Sequence, residues 1–177
     1  MDLKPGPEYV SFREDVKSFL SENIQMSGKA RNPARANNEE LEWQEKLIKN
    51  GYAARTIPEE YGGYGAKPDV LKSRIIAEEF TQAKIPLGMA NQGISMFVPT
   101  LLELGTEEQK KSWIETTIKG EIIWCQGYSE PGSGSDLASL QTKGVDDGDD
   151  FIINGQKIWT SSAQFADMMF CLVRTEP

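Results

Sequence analysis

Apolar positions recur at helical spacing through the first two thirds of the chain and at strand spacing after that. Residues 8–22 set Tyr9, Phe12, Val16, Phe19 and Leu20 on one face, a period that predicts an amphipathic helix. Pro7 suits its start, because the first helical turn has no use for the missing N–H. Residues 25–38 are polar and aperiodic, which reads as a loop. A second helix is expected from an Asn38 N-cap; it buries Leu41, Leu47 and Ile48 and stops at Asn50-Gly51. After the tightly turned connector Tyr61-Gly-Gly-Tyr-Gly65, residues 69–83 line up Leu71, Ile75, Ile76 and Phe80 as a third helix. The segment 88–104 is largely apolar and reads as a helix buried on most sides, kinked or divided at Pro99. Thr106-Glu-Glu-Gln109 is a capping box; it opens a helix that carries Trp113, Ile114 and Ile118 and ends near Gly120.

Beyond Gly120 the period changes. Strand-like runs at 122–129, 139–145, 151–159 and 167–174 alternate with turns, the clearest being Asp146-Asp-Gly-Asp-Asp150. The fold class expected is α+β: a helical bundle over residues 1–120, followed over 121–177 by the first part of an antiparallel β domain. No internal repeat or low-complexity segment interrupts this order.

Composition narrows the chemistry. The 177 residues carry 27 acidic and 19 basic side chains, a net charge of −8, with the basic residues scattered. That balance argues against a nucleic-acid or anionic-membrane surface, both of which need a basic patch. Arg31 and Arg35 in the polar loop read as solvated charges. No run approaches the ~20 apolar residues of a membrane span. The opening Met1-Asp-Leu-Lys-Pro-Gly-Pro7 lacks the character of a signal or transit peptide, so a cytoplasmic location is expected. There is no histidine, which removes Ser-His-Asp and Cys-His catalysis and the ordinary zinc sites. Two cysteines cannot make a four-thiolate site, so no metal is expected; Cys125 and Cys171 both read as small buried hydrophobes.

Two blocks carry the remaining information. Residues 124–136 read Trp-Cys-Gln-Gly-Tyr-Ser-Glu-Pro-Gly-Ser-Gly-Ser-Asp, and 152–161 read Ile-Ile-Asn-Gly-Gln-Lys-Ile-Trp-Thr-Ser. The first runs from an apolar strand into a turn whose Gly132 and Gly134 stand beside small hydroxyl residues. Glycines there let backbone N–H groups approach a ligand closely. It is not a dinucleotide-binding fingerprint, since Leu137 stands where the third glycine belongs. The second block presents Trp159 as an aromatic face, followed by the short hydroxyl donors Thr160 and Ser161. A flavin ring needs that combination of flat apolar wall and aimed donors.

In this order and spacing, with Pro58-Glu-Glu-Tyr-Gly-Gly63 and Gly105-Thr-Glu-Glu-Gln-Lys110 upstream, the blocks resemble the flavin-binding signature of the acyl-CoA dehydrogenases. The resemblance covers nearly the whole chain and is weakest before Asn38. It implies an FAD enzyme that desaturates acyl-CoA thioesters between Cα and Cβ in lipid catabolism. It also implies electron-transfer flavoprotein as acceptor and a homodimer or homotetramer. Gln126, Tyr128 and Ser129 would line the flavin edge, and Gly134 and Ser135 the pyrophosphate and acyl-CoA side, with Ser135 also touching substrate. Trp159 would pack on the ring, and Thr160 and Ser161 would reach N5 and O4. Many relatives carry Thr where Ser129 and Ser161 stand; the hydroxyl is kept. The acyl pocket would draw on 88–104, where Met89, Met96 and Phe97 serve either as lining or as core. The family is roughly twice as long, so the chain is expected to stop about halfway through its β domain. The base usually lies in the C-terminal helical domain, so no catalytic residue is assigned here. Glu130 is expected to order its turn through backbone amides rather than to act as base. The competing expectation is a split or degenerate subunit that binds flavin weakly or supports a partner.

Overall fold

A computed structural model describes residues 6–29 and 35–176. Arg31, and the leader reading that rests on residues 1–5, lie outside the described residues. Among the described residues five α-helices precede four short strands: α1 (Pro7–Glu22), α2 (Asn38–Lys49), α3 (Val70–Ala83), α4 (Val98–Leu104), α5 (Glu107–Ile118), then β1 (Trp124–Gly127), β2 (Lys143–Asp147), β3 (Asp150–Asn154) and β4 (Met168–Cys171). The fold class is the α+β arrangement expected. No helix among the described residues is long and apolar enough to cross a membrane.

Local chemistry sets the helix ends. Asn37, one residue before the expected Asn38, caps α2: its side chain accepts from the Glu40 N–H at 3.0 Å while the Glu40 carboxylate accepts from the Asn37 N–H at 2.8 Å. The same reciprocal box, Thr106 with Gln109, opens α5 as predicted. Each cap of this kind is worth about 1 kcal/mol. Two clusters form the helical core. Val16, Phe19, Leu20, Trp43, Leu47, Ile75, Ile76 and Phe80 join α1, α2 and α3. Ile48, Ile57, Tyr61, Val98, Leu101, Ile114 and Ile118 join α4 and α5 to the back of α2. Leu71 departs from expectation: it and Val70 lie in the first turn of α3 and stay 50% and 83% exposed, because the packed face of α3 begins a turn later, at Ile75.

The segment 88–104 is not one buried helix. Gly93–Phe97 forms a π turn, closed by the Val98 N–H on the Gly93 carbonyl, and only then does α4 begin. Pro99 has no N–H to offer Ser95, so the wider turn takes up the lost α-helical bond. Gly93 permits this passage: a Cβ there would stand 2.9 Å from both Thr117 Cγ2 and Trp124 Cδ1. Ile94, Met96, Phe97 and Leu102 are only half-buried, and Leu104 is 78% exposed.

The strands make two small ladders. β2 and β3 pair antiparallel around the Asp146–Asp150 turn, where Gly148 takes positive φ and its N–H meets Asp146 Oδ1 at 2.9 Å. β1 and β4 pair in parallel, Trp124 opposite Met168 and Gly127 opposite Cys171. The run expected to be a strand from 139 begins only at Lys143, since the N–H groups of Gln141 and Thr142 turn to Glu130 instead. The third expected strand, 151–159, stops at Asn154, short of Trp159, whose φ of 57° no strand accepts. Cys125 is buried as expected, but Cys171 is exposed: β4 has β1 on one edge and no strand on the other among the described residues.

Trp124 joins helices to strands. Its ring stacks on Phe97 with centroids 3.7 Å apart, meets Trp113 edge-on at 5.6 Å, and its Nε1 donates to Thr117 Oγ1 at 2.9 Å. Thr117, fully buried, passes its own hydroxyl proton to the Trp113 carbonyl at 2.6 Å.

Candidate active site

The turn after β1 is built around one carboxylate. Glu130 and Ser133 exchange backbone hydrogen bonds of 2.8 and 3.1 Å, and the Ser133 hydroxyl closes onto the Asp136 carbonyl at 2.7 Å. The Glu130 side chain, almost fully buried, accepts from the N–H of Gln141 at 2.6 Å and of Thr142 at 2.9 Å. Lys157 completes the knot. Its Nζ donates to Glu130 Oε1 at 2.8 Å and to the Tyr128 carbonyl at 3.0 Å, with both charged side chains under a tenth exposed. The Lys157 ammonium first, and the hydrogen bonds from Thr142 and Gln141 after it, hold the Glu130 carboxyl down at about 2. Such an acid stays ionised, its oxygens are already engaged, and it is a poor proton acceptor near neutrality. Glu130 therefore orders the turn, as expected, with a lysine partner that the sequence did not disclose.

The knot also brings the two sequence blocks together. Beside the Lys157–Tyr128 bond, the Ile158 N–H donates to the Ser129 carbonyl at 2.9 Å. Residues 128–129 and 157–158 are thus held together by two hydrogen bonds. Trp159 follows with its backbone left-handed and its indole 85% exposed. A non-glycine residue held at positive φ carries a strain of order 1 kcal/mol or more. Here the strained residue is also a large aromatic left in the open. The Ser161 N–H donates to the Trp159 carbonyl at 2.9 Å, which folds the chain back so that Ser161 and Ser162 reach a cleft.

That cleft encloses about 550 Å³, within the ~300–1,000 Å³ typical of small-molecule sites. One wall is α2, through Trp43 and Gln44; another is the segment 86–95; Gly120, Ile123, Trp124, Ser161 and Ser162 close it on the strand side. Its walls are firmly set. Trp43 Nε1 donates to the Pro86 carbonyl at 2.9 Å. The Gln44 amide is used at both ends, donating to the Ile118 carbonyl at 2.7 Å and accepting from the Met89 N–H at 2.6 Å. The lining residue Ile123 donates its N–H to Asp167 at 2.9 Å, and the other oxygen of Asp167 pairs with Arg35. The hydrogen bond from Ile123 and the Arg35 charge together lower the Asp167 pKa. The cleft's carboxylates are engaged: Glu39 pairs with Lys29, and Glu40 holds its cap.

Of the residues expected to hold cofactor or substrate, Ser161 alone lines this cleft. Gln126, Tyr128, Ser129, Trp159 and Thr160 lie outside its lining, Gln126 in β1 and Tyr128 just after it, with the Tyr128 ring already packed edge-on against Phe170 at 5.6 Å. Gly134 and Ser135 sit on the exposed turn beyond Ser133, outside the cleft. A Cβ on Gly132 or Gly134 would meet nothing within 4 Å, and neither glycine has positive φ, so the chain's own packing does not require glycine there. Met89 lines the cleft, whereas Phe97 belongs to the joint around Trp124. Asn91, Gln92 and Ser95, read from sequence only as part of an apolar stretch, also lie on its wall.

Residues 6–121 match the acyl-CoA dehydrogenase N-terminal domain, and residues 125–177 match the middle domain of the same enzymes. The chain belongs to the acyl-CoA dehydrogenase family. It is 36% identical over 173 residues to acyl-CoA dehydrogenase IpdE1 of Mycobacterium tuberculosis, covering 93% of this chain and 44% of that protein. It is 34% identical over 136 residues to (2S)-methylsuccinyl-CoA dehydrogenase of Cereibacter sphaeroides, covering 77% and 24%. Among solved structures, the ChsE4-ChsE5 complex of M. tuberculosis superposes with a TM-score of 0.70 at 33% identity, covering all of this chain and 45% of that one. The Tcur3481-Tcur3483 steroid ACAD does so at 0.69 and 32%, covering all of this chain and 46% of that one. The chain thus spans less than half the length of the curated relatives it matches.

Proposed function

We propose that this acyl-CoA dehydrogenase chain contributes the helical wall and the first flavin-facing edge of an FAD enzyme that introduces a Cα–Cβ double bond into acyl-CoA thioesters. The observation that carries the reading is the Ile158–Ser129 bond: with it, an open Trp159 face and a cleft-lining Ser161 stand side by side, a protruding aromatic next to a walled space. The residues present fit a flavin. Trp159 offers a face that nothing among the described residues covers, and Gly132 and Gly134 leave room for close approach. Bound FAD supplies the hydride acceptor. Trp159 shields the ring from water, Ser161 donates toward N5 and Thr160 toward O4, and Gln126, Tyr128 and Ser129 line the edge largely through backbone groups. Gly134 and Ser135 take the pyrophosphate side, where Ser135 also meets the acyl-CoA. No residue of this chain is assigned as base.

On this reading the helical domain ends near residue 120, the β domain starts at 121, the protein works as an oligomer in the cytoplasm, and electron-transfer flavoprotein accepts the electrons. Trp159→Ala in the native protein that carries this chain tests it. FAD retention should fall and the flavin absorbance band should shift; wild-type stoichiometry and spectrum would overturn the assignment. A second reading, a non-catalytic subunit that supports a partner, is favoured by one observation: Phe151, Ile152 and Ile153 are all about half exposed on β3. Acyl-CoA-dependent flavin bleaching separates the two, since the subunit reading requires none.

A further inference from the structure

Nearly every polar side chain on the cleft's helical wall is spoken for. Asn91 Oδ1 accepts from the Ile94 N–H at 3.0 Å, and the Ser95 hydroxyl donates to the Asn91 carbonyl at 2.8 Å. The Gln44 amide is used at both ends, and Lys29 and Glu39 neutralise each other. Gln92 is the exception. It lines the cleft immediately before the π turn, and its Oε1 is buried with no hydrogen-bond partner among the described residues. A buried amide oxygen left unpaired is costly, and native structures usually satisfy such atoms. Once the Gln92 amide turns toward the cleft, an occupant that donates a hydrogen bond to that oxygen removes the cost, whereas an alkyl chain leaves it in place.

We propose that the cleft takes an acyl group bearing a hydroxyl, and that Gln92 is the residue that selects it. The proposal rests on the dehydrogenase reading, because Ser161, placed at the reacting end of the flavin, shares the cleft with Gln92. A neutral hydroxyl suits a neutral amide: it donates to Oε1 without bringing a charge into the cleft. A carboxylate or ammonium on the acyl group would need a counter-charge, and the charged residues of the lining are already paired. Discrimination of this kind is strong in enzymes, since an analogue without the hydroxyl leaves the protein's buried polar atom unsatisfied.

The test uses the native, FAD-loaded protein that carries this chain, titrated by calorimetry with the 2-enoyl-CoA products. The hexenoyl, octenoyl and decenoyl thioesters are compared with their ω-hydroxy and (ω−1)-hydroxy counterparts. At least one hydroxylated ligand should bind roughly tenfold or more tightly than its parent. Gln92→Leu should bring that ratio close to one, and Gln92→Met does the same test if the leucine variant loses its FAD. Equal binding of parent and hydroxylated ligands by the wild type overturns the proposal, as does a preference that survives both substitutions. Anaerobic flavin bleaching by the saturated acyl-CoAs separates the two levels of failure. Bleaching without hydroxyl preference rejects Gln92 alone, whereas no bleaching by any thioester rejects the dehydrogenase reading and this proposal with it.

Discussion

Between α1 and α5 the chain buries two clusters of large apolar side chains, with Val16, Leu47, Val98, Ile114 and Ile118 sealed completely. Beyond Gly120 the buried apolar side chains among the described residues are Trp124, Leu140 and the small Cys125, while Val145, Phe151, Ile152, Ile153, Met169 and Trp159 face outward. The two regions are held by different means. Burial of apolar surface stabilises the helices; the strands depend on a buried Glu130–Lys157 knot and on one aromatic joint with the helices. A region with its own core can be rigid by itself. A region specified by hydrogen bonds needs neighbours to dry them.

The sharpest way to break the comparison is to cut at it. Residues 6–120 alone should keep a helical circular dichroism spectrum and melt cooperatively, whereas residues 121–177 alone should give neither a cooperative transition nor dispersed NMR signals. A folded 121–177 peptide would refute the contrast. Within the whole chain, Trp124→Ala should cost about 3–5 kcal/mol in denaturant unfolding, since it removes a buried ring that both regions share. Ile152→Ser, on the half-exposed face of β3, should stay within about 0.5 kcal/mol. If the two substitutions cost the same, the joint is not where the regions meet.

Acid should find the strand region first. The folded Glu130 pKa, about 2, lies below its ordinary value of 4.5, so this carboxylate's contribution is fully present above about pH 4.5 and is lost as the pH falls toward 2. The protection factors of the Gln141 and Thr142 amides, taken relative to intrinsic exchange at each pH, should therefore fall over that window before those of the core amides of α5 respond. Glu130→Gln should bring the same loss of protection at neutral pH, by leaving the Lys157 ammonium without its counter-charge. Unchanged exchange at both amides would show that the knot is not what holds the turn. A small effect of the opposite sign should come at Trp159. Trp159→Gly relieves the left-handed backbone and should stabilise the chain by up to about 1 kcal/mol while FAD retention falls. A destabilised glycine variant would mean that the indole packs rather than waits.

The same contrast decides what was legible beforehand. Helices were readable because their signals are local: an apolar period, a cap three residues from its partner, a glycine past the end. Even the slip from Asn38 to Asn37 is one residue, fixed by which asparagine stands three before a glutamate. The π turn was not readable, because it needs Gly93 to slide past Thr117 and Trp124, which come from distant sequence. The resemblance pointed to the two sequence blocks that the Ile158–Ser129 bond joins. Lys157 escaped notice because its partner lies 27 residues away and nothing in a strand-like run marks a buried cation. Gln92 was hidden in an apolar segment where one orphaned oxygen matters only once a cleft is known to pass it. Exposure of Cys171 and Leu71 was missed for a simpler reason: hydrophobicity shows which residues prefer burial, not whether a neighbour arrives.

The uneven burial of the tryptophans gives the molecule an optical asymmetry. Of the four, Trp43 and Trp124 are buried, Trp113 is half-buried, and Trp159 stands in water. Indoles in dry surroundings emit at shorter wavelength than solvated ones, so the fluorescence of this chain divides into a blue component from the core and a red component from a single residue. A water-soluble quencher such as iodide reaches only the red one. An acceptor that absorbs where tryptophan emits would extinguish that component first when it settles on the Trp159 face, so the residue on which the cofactor reading turns also reports, unlabelled, on whether anything has arrived there.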